Sequence, residues 1–299
     1  MSEFSVWEPS SLEHALNILA AHKGQALPLA GGTDLLVQIN KNTLKYKNLV
    51  SLEGLEELSR ETIDVSSVSL GAAMKIAAIE CHEELIKKVP FLARAASELG
   101  SRQVRNLATI GGNLCNAAPS AEMAPPLLAL NASVSITSPE GKRFIPLETL
   151  FTGPGQTVLR SYDLVDSIEF YLPQGIWHGA YYKLSPRRAM DIAVVNVAVV
   201  IVVDHQNREK LTGARIALGA VAPTPVRAYE AEALLNGKIL TDETIDLSSR
   251  LSAKISRPIT DIRATADYRR AMVYELVKKG LQECRNSLMQ GGVGSEKEN

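Results

Sequence analysis

The sequence predicts a mixed α+β chain in two domains. Its 299 residues exceed the usual span of one domain. Segments of strand-like and helix-like apolar patterning recur along its length. Near the middle, Pro173-Gln174-Gly175 supplies the strongest break. The expected division is a first domain over residues 1–175, a second over 176–288, and a disordered tail over 289–299, which ends in small and polar residues.

The first helix is read from a capping box at Ser10 and Glu13, with Leu12, Ala15, Leu16, Leu19 and Ala20 on one face and Gly24 as its C-terminal stop. Leu27–Ala30 reads as a short buried strand running into Gly31-Gly32, and Leu35–Ile39 as the start of a helix. Strands are expected at Leu49–Leu52 and Val68–Ala72, and helices over Ile76–Val89 and Phe91–Leu99, the latter closed by Gly100. Ser101–Asn106 then leads into a second Gly-Gly loop at Thr109–Leu114, bringing Arg102 and Arg105 near it. Val134–Thr137 and Phe144-Ile145 flank Pro139-Glu140-Gly141 as a hairpin, Thr152–Gly155 reads as a loop, and Leu164–Leu172 as a strand. Beyond the boundary come strands at Ala180–Leu184, Ile192–Val203 and Ala214–Val221, with a turn at His205-Gln206-Asn207. Helices follow at Val226–Leu235, Thr241–Ile255 and Tyr268–Glu283, so the second domain reads as a sheet backed by helices.

Composition excludes several function classes. A formal net charge of −1 argues against nucleic acid or an anionic membrane as the main partner. The first residues lack a positive region ahead of an apolar core, so no signal peptide is expected, and a cytoplasmic location follows by default. The longest apolar run, Ile192–Val203, is interrupted by Asn196 and is too short to span a bilayer. Cys81, Cys115 and Cys284 are odd in number and scattered, which disfavours a disulfide framework and an iron–sulfur or zinc site of the chain's own. The five histidines stand in no ligand spacing, and no metal site is expected.

The two Gly-Gly pairs carry the chemistry. Glycine lets backbone approach a ligand and adopts positive φ at little cost, so Ala30-Gly31-Gly32-Thr33-Asp34 and Thr109-Ile110-Gly111-Gly112-Asn113 are candidates to hold a phosphate with backbone amides. A strand, loop and helix in succession suit that purpose at the first pair. No G-x-G-x-x-G, G-x-x-x-x-G-K-[ST], G-x-S-x-G or H-E-x-x-H pattern occurs, so neither Rossmann, P-loop nor common hydrolytic sites are supported. With near-neutral charge, any phosphate must be held by backbone dipoles and a few local cations.

Leu27–Leu36, Gln103–Leu114, Ser120-Ala121-Glu122, Phe151–Gly155, Lys183–Ala193 and Ala220–Pro225 occur in the order seen in the FAD-binding subunits of molybdenum hydroxylases, which the chain resembles over nearly its whole length. Within that family it is most similar to the medium subunits of bacterial three-subunit xanthine dehydrogenases. The resemblance implies a vanillyl-alcohol-oxidase (PCMH) type FAD-binding domain of two α/β subdomains, followed by a smaller α/β domain of the CO dehydrogenase flavoprotein C-terminal type that covers the flavin. Carried over by position, Leu27, Pro28, Leu29, Ala30, Gly31, Gly32, Thr33 and Asp34, with Thr109, Ile110, Gly111, Gly112 and Asn113, would cradle the diphosphate and the groups beside it. Leu35 would lie near the isoalloxazine, and Val104, Ala108, Cys115, Asn116, Ala121 and Glu122 would line the nucleotide. Glu122 stands where the family usually has aspartate, and Cys115 is read as a wall residue rather than a redox thiol. Leu164 and Lys183 occupy FAD-contacting positions, Lys183 as a cation near the flavin's polar edge. Arg187, Arg188 and Asp191 either sit near the ring or pair with one another at the surface.

No residue of this chain is expected to be catalytic in its own right. The resemblance implies an electron-transfer subunit of purine metabolism, active only in a heterotrimer. An iron–sulfur subunit would hold two [2Fe–2S] clusters and a large subunit the molybdopterin. Electrons from hypoxanthine or xanthine would pass through FAD to NAD+, and a dimer of heterotrimers is the assembly it suggests. Three alternatives stay open: a sister hydroxylase acting on carbon monoxide, nicotinate, an aldehyde or another N-heterocycle with a different acceptor; a non-catalytic nucleotide-binding assembly protein; and a self-sufficient flavin oxidase.

Overall fold

A computed structural model of the chain describes residues 4–41, 43, 46, 48–187, 190–204 and 209–290. Strand β1 (Ser5–Trp7), helix α1 (Leu12–Ala21), strand β2 (Ala26–Leu29), helix α2 (Leu35–Asn40) and strand β3 (Asn48–Ser51) open the chain, and the three strands form a parallel sheet in the order β1-β3-β2. Ala15, Leu16, Ile18 and Leu19 of α1 are buried. The expected capping box at Ser10 and Glu13 does not form, and the helix is capped one residue later. Ser11, not Ser10, accepts the His14 amide, at 3.1 Å. Both serines can cap, and the one whose hydroxyl reaches the third helical amide sets the start.

Strands β4 (Glu61–Ile63) and β5 (Ser67–Gly71) lead to helices α3 (Ile76–Cys81), α4 (Glu83–Lys88) and α5 (Pro90–Ser97). The single helix expected over residues 76–89 is broken at His82, whose extended backbone lets its ring accept the Leu85 amide. Two further short helices, α6 (Arg102–Leu107) and α7 (Ile110–Cys115), occupy what the sequence suggested was a lead-in and a glycine loop. Ser101 and Thr109 cap them through their hydroxyls, so short-range caps override the glycines' preference for loop. Helix α8 (Ala124–Ala129), unanticipated, starts on two prolines in its first turn. Strands β6 (Ser133–Ser138) and β7 (Gly141–Pro146) form the expected hairpin, and the small hairpin β8 (Phe151–Gly153) and β9 (Gln156–Thr157) precedes β10 (Leu164–Tyr171). The resulting sheet has the order β4-β5-β10-β6-β7 and is antiparallel throughout.

The last sheet, β11 (Ile176–Leu184), β12 (Val195–Val203), β13 (Leu211–Gly219) and β14 (Val226–Arg227), is antiparallel and carries α9 (Tyr229–Leu235), α10 (Asp242–Ile255) and α11 (Ala266–Gln290) on one face. Helices α5 and α8 cover the other. Every residue of β12 is buried. Val197, Val199, Ile201 and Val203 pack into a core with α11, whereas Ala198, Val200 and Val202 join the large core of the first half with Phe91 and Trp177. A strand covered on both faces reads as a continuous apolar run, which is how it appears in the sequence. The turn expected at residues 205–207 lies outside the described residues. Helix α11 continues through Met289 and Gln290, the first two residues of the expected tail, and 291–299 lie outside the described residues.

The helix expected over residues 226–235 begins only at Tyr229, because Val226 and Arg227 extend the sheet by pairing with Leu218 and Ala217. Arg227 is 8% exposed and donates to both carboxylate oxygens of Glu232, at 2.6 and 2.7 Å. It also donates to the Leu128 carbonyl at the end of α8 and to Asn131. Arg215 adds a bond to the Ala129 carbonyl. Two cations of the second half thus satisfy carbonyls at a helix C-terminus of the first, where positive charge is favoured. Glu232→Leu should lower stability by about 3–5 kcal/mol, because a buried guanidinium loses its carboxylate, while the double variant with Arg227→Met should cost far less. Urea titration followed by circular dichroism checks this, and equal losses for the two would contradict it.

Candidate functional site

A cavity of about 680 Å³ lies where three segments meet: the turn after β2, the α6–α7 region with the loop that follows it, and the loop after β11. That volume falls in the range of ligand sites, roughly 300–1,000 Å³. Of the residues proposed from sequence, Leu27, Pro28, Ala30, Gly31, Gly32, Thr33, Asp34 and Leu35 line it from the first segment. Val104, Ala108, Thr109, Gly112, Asn113, Cys115, Asn116, Ala121 and Glu122 line it from the second. Leu29, Ile110, Gly111, Leu164 and Lys183 do not. Ile110 is fully buried in the large core, and Leu164 packs in the small core around α1. Lys183 stands behind Glu122.

Other wall residues went unnoticed in the sequence. Gln38 lies one helical turn beyond Asp34 and was accessible to 3.6-residue reasoning. Tyr46 and Leu99 arrive only through tertiary structure, whereas Met190 and Ile192 belong to the Lys183–Ala193 motif already noted. Gly155 belongs to a motif already noted and also lines the cavity.

The glycines divide their work. A Cβ on Gly31 would stand 2.0 Å from the Leu107 carbonyl oxygen, and one on Gly111 would stand 2.7 Å from both Cβ and O of Ala72. These first members of each pair allow backbone to press on backbone. Gly32 holds φ at +68°, a left-handed conformation that suits glycine. A Cβ on Gly112 would meet only the Thr109 hydroxyl, at 2.8 Å.

The backbone donors are unevenly distributed. In the second segment the amides are committed: Ile110 to Met74 O, Gly111 to Ala72 O, Gly112 to Thr109 Oγ1 and Asn113 to Thr109 O, all between 2.8 and 3.0 Å. In the first, the amides of Gly32, Thr33 and Asp34 meet no acceptor among the described residues. Among the described residues, then, it is the first Gly-Gly turn and not the second that presents N–H groups without an acceptor, which corrects the expectation of donors from both.

The wall carries Asp34, Glu122 and Asp191 and, among the described residues, no lysine or arginine. The two arginines expected nearby point elsewhere. Arg105 donates to Glu80 at 2.7 and 3.1 Å and to the Leu99 carbonyl, and Arg102 is exposed off the cavity. Desolvation raises the carboxyls of Asp34 and Glu122 above their usual range, with Lys183 opposing the effect on Glu122. Burial pushes the Cys115 thiol up to about 12, so it stays protonated and unreactive near neutrality. Arg187 and Asp191 pair, with the Arg187 amide 2.6 Å from the carboxylate, and the Asp191 side chain reaches the cavity wall. Arg188 lies outside the described residues. No group of three or more metal-ligating side chains occurs among them.

Residues 2–173 match the family described as the FAD binding domain in molybdopterin dehydrogenase, and residues 180–284 match the CO dehydrogenase flavoprotein C-terminal domain. This chain belongs to the FAD-binding subunits of the molybdenum hydroxylases. The xanthine dehydrogenase FAD-binding subunit of Escherichia coli O157:H7 is 34% identical over 92% of this chain and 93% of its own length. The glyceraldehyde dehydrogenase medium chain of Sulfolobus acidocaldarius is 33% identical over 94% of this chain and 98% of its own. Among solved structures, carbon monoxide dehydrogenase of Hydrogenophaga pseudoflava superposes with a TM-score of 0.90 at 29% identity, covering 94% of this chain and 97% of that one.

The residues present fit FAD in this subunit: among the described residues, three amides without an acceptor follow one another at Gly32–Asp34, starting within the side-chain-free Gly31-Gly32 pair. The distinct roles of the glycines separate by mutation. Gly31→Ala should lower stability by about 1–3 kcal/mol, because backbone must move. Gly112→Val should change the melting temperature less, yet the purified FAD-binding subunit should lose its bound flavin on gel filtration. Full flavin occupancy in Gly112→Val would contradict the assignment.

Proposed function

We propose that this chain holds FAD as the electron relay of a three-subunit molybdenum hydroxylase that oxidises hypoxanthine and xanthine and passes the electrons to NAD+. The observation that carries the relay reading is a cofactor-sized cavity walled by both matched domains, with free amides on one side and Met190, Asp191 and Ile192 on another. Bound there, FAD supplies the exchange between one- and two-electron transfer that no side chain offers. In this reading the chain binds and orients. The Gly32–Asp34 amides hold the diphosphate, with Pro28, Ala30 and Gly31 bringing backbone close to it. Leu35, Val104 and Ala108 supply apolar wall, Thr109, Gly112, Asn113 and Asn116 border the nucleotide, and Ala121 and Glu122 close the far side. Leu29, Ile110, Gly111 and Leu164 then support the cavity from behind.

The partners in this proposal are an iron–sulfur subunit with [2Fe–2S] clusters and a molybdopterin-binding large subunit. The purine substrate is supported by identity to the xanthine dehydrogenase subunit. A second reading has support of nearly equal weight: a sister complex acting on an aldehyde, given 33% identity to the glyceraldehyde dehydrogenase medium chain. Among the described residues no helix is long and apolar enough to cross a membrane.

The purified chain should be yellow or turn yellow with added FAD, and should not oxidise hypoxanthine. Reconstituted with its two partners, it should support NAD+ reduction by xanthine. Purine turnover by the chain alone would defeat the relay reading, and NAD+ reduction by glyceraldehyde in place of xanthine would move the assignment to the sister complex.

A further inference from the structure

Lys183 stands on β11, in the second half of the chain, yet its ammonium reaches into the first. It donates to Glu122 Oε1 and to the Glu98 carbonyl oxygen, each at 2.8 Å. Its side chain is 4% exposed, that of Glu122 12%. Glu122 lines the cavity and Lys183 does not. A buried cation with this geometry acts on the cavity through its partner. We propose that Lys183 is a positioning residue, the buried counter-charge that holds Glu122 ionised and in place at the cavity wall. This inference rests on the reading of the cavity as the FAD site.

The surroundings explain why Glu122 needs the counter-charge. Among the described residues, Asp34 faces it from the head of α2, and Tyr181 from β11 beside Lys183. Glu98, after α5, shares Lys183 and has Arg94 as its second cation. Asp191 stands on the same wall. Among the described residues, Lys183 is therefore the buried cation bonded to the Glu122 carboxylate, on a wall that also carries Asp34 and Asp191 and is read as the site of an anionic diphosphate. A lone buried carboxylate titrates upward when its partner is removed, because desolvation is then unopposed.

The sign of the effect follows. With Lys183 uncharged, the folded chain keeps the Glu122 proton over a pH range in which the unfolded chain has lost it, so stability falls as pH rises through that range. The carboxylate formed at higher pH also stands uncompensated and repels the diphosphate, so FAD affinity falls in the same direction.

The experiment compares the full chain with Lys183→Met, Lys183→Arg and the double variant Lys183→Met/Glu122→Gln. Melting temperature without FAD and FAD affinity by fluorescence quenching are each measured from about pH 5.5 to 8.5. Lys183→Met should lose stability more steeply with rising pH than wild type and should bind FAD about tenfold more weakly at the upper end than at the lower, the change that moving one carboxyl titration by a pH unit produces. Lys183→Arg should restore the wild-type profile. The double variant should remove the extra slope in both measurements. Should Lys183→Met not fold, Lys183→Gln removes the charge and keeps a donor toward Glu98. Profiles parallel to wild type in the charge-removing variant, or an extra slope that survives Glu122→Gln, would overturn the proposal. A wild-type chain that binds no FAD while the melting slopes behave as stated would overturn the cofactor reading and leave the Lys183–Glu122 coupling standing.

Discussion

Burial of β12 on both faces is the constraint on which the rest of the molecule depends. Its alternate side chains enter two different cores, one with α11 and one with the helices of the first half. A strand used this way cannot be freed from either core without exposing apolar surface, roughly 25 cal/mol for each Å². The two matched domains are thereby held as one body. The cavity exploits that: its wall combines the turn after β2, the α6–α7 region and the loop after β11, three segments far apart in sequence. Because strand β11 is registered on β12 from Ile176 opposite Val203 to Leu184 opposite Val195, Lys183 is delivered to Glu122 by sheet geometry.

Much of this was legible in the chain and the remainder was not, for physical reasons that can be named residue by residue. Elements with strong periodicity or turn chemistry were readable: α1, the β6–β7 hairpin around Gly141, the apolar run of β12, and α10. The misreadings came where a local preference lost to a contact distant in sequence. Val226 and Arg227 look helical, but Arg227 is committed to Glu232 and to the end of α8. Gly111 looks like ligand-binding backbone, but it packs on Ala72. Tyr46 carries no local mark of the cavity it borders.

The glycine pairs illustrate how a motif can be found correctly and explained only in part. Similarity of pattern suggested two equivalent phosphate loops. In the structure one is a turn with free amides, and the other is the first turn of a capped helix whose amides are already bonded. What the second pair contributes is close packing at Gly111 and open wall at Gly112. Backbone hydrogen-bond accounting, not glycine content, separates the two cases.

Electrostatics then sets what the cavity can accept. Among the described residues, the cavity wall offers an anion backbone amides rather than side-chain cations, with Asp34, Glu122 and Asp191 on the same wall. Amide dipoles are fixed by the fold and bring no long side chain to order, so they hold an anion without the entropy loss of clamping lysines. A net charge of −1 is thus compatible with a phosphate site of this kind. The same arrangement gives the carboxylates their importance. Among the described residues the wall carries no lysine or arginine; burial raises the Glu122 carboxyl and a buried ammonium behind it opposes that rise, so the second half of the chain takes part in a cavity lined mainly by the first.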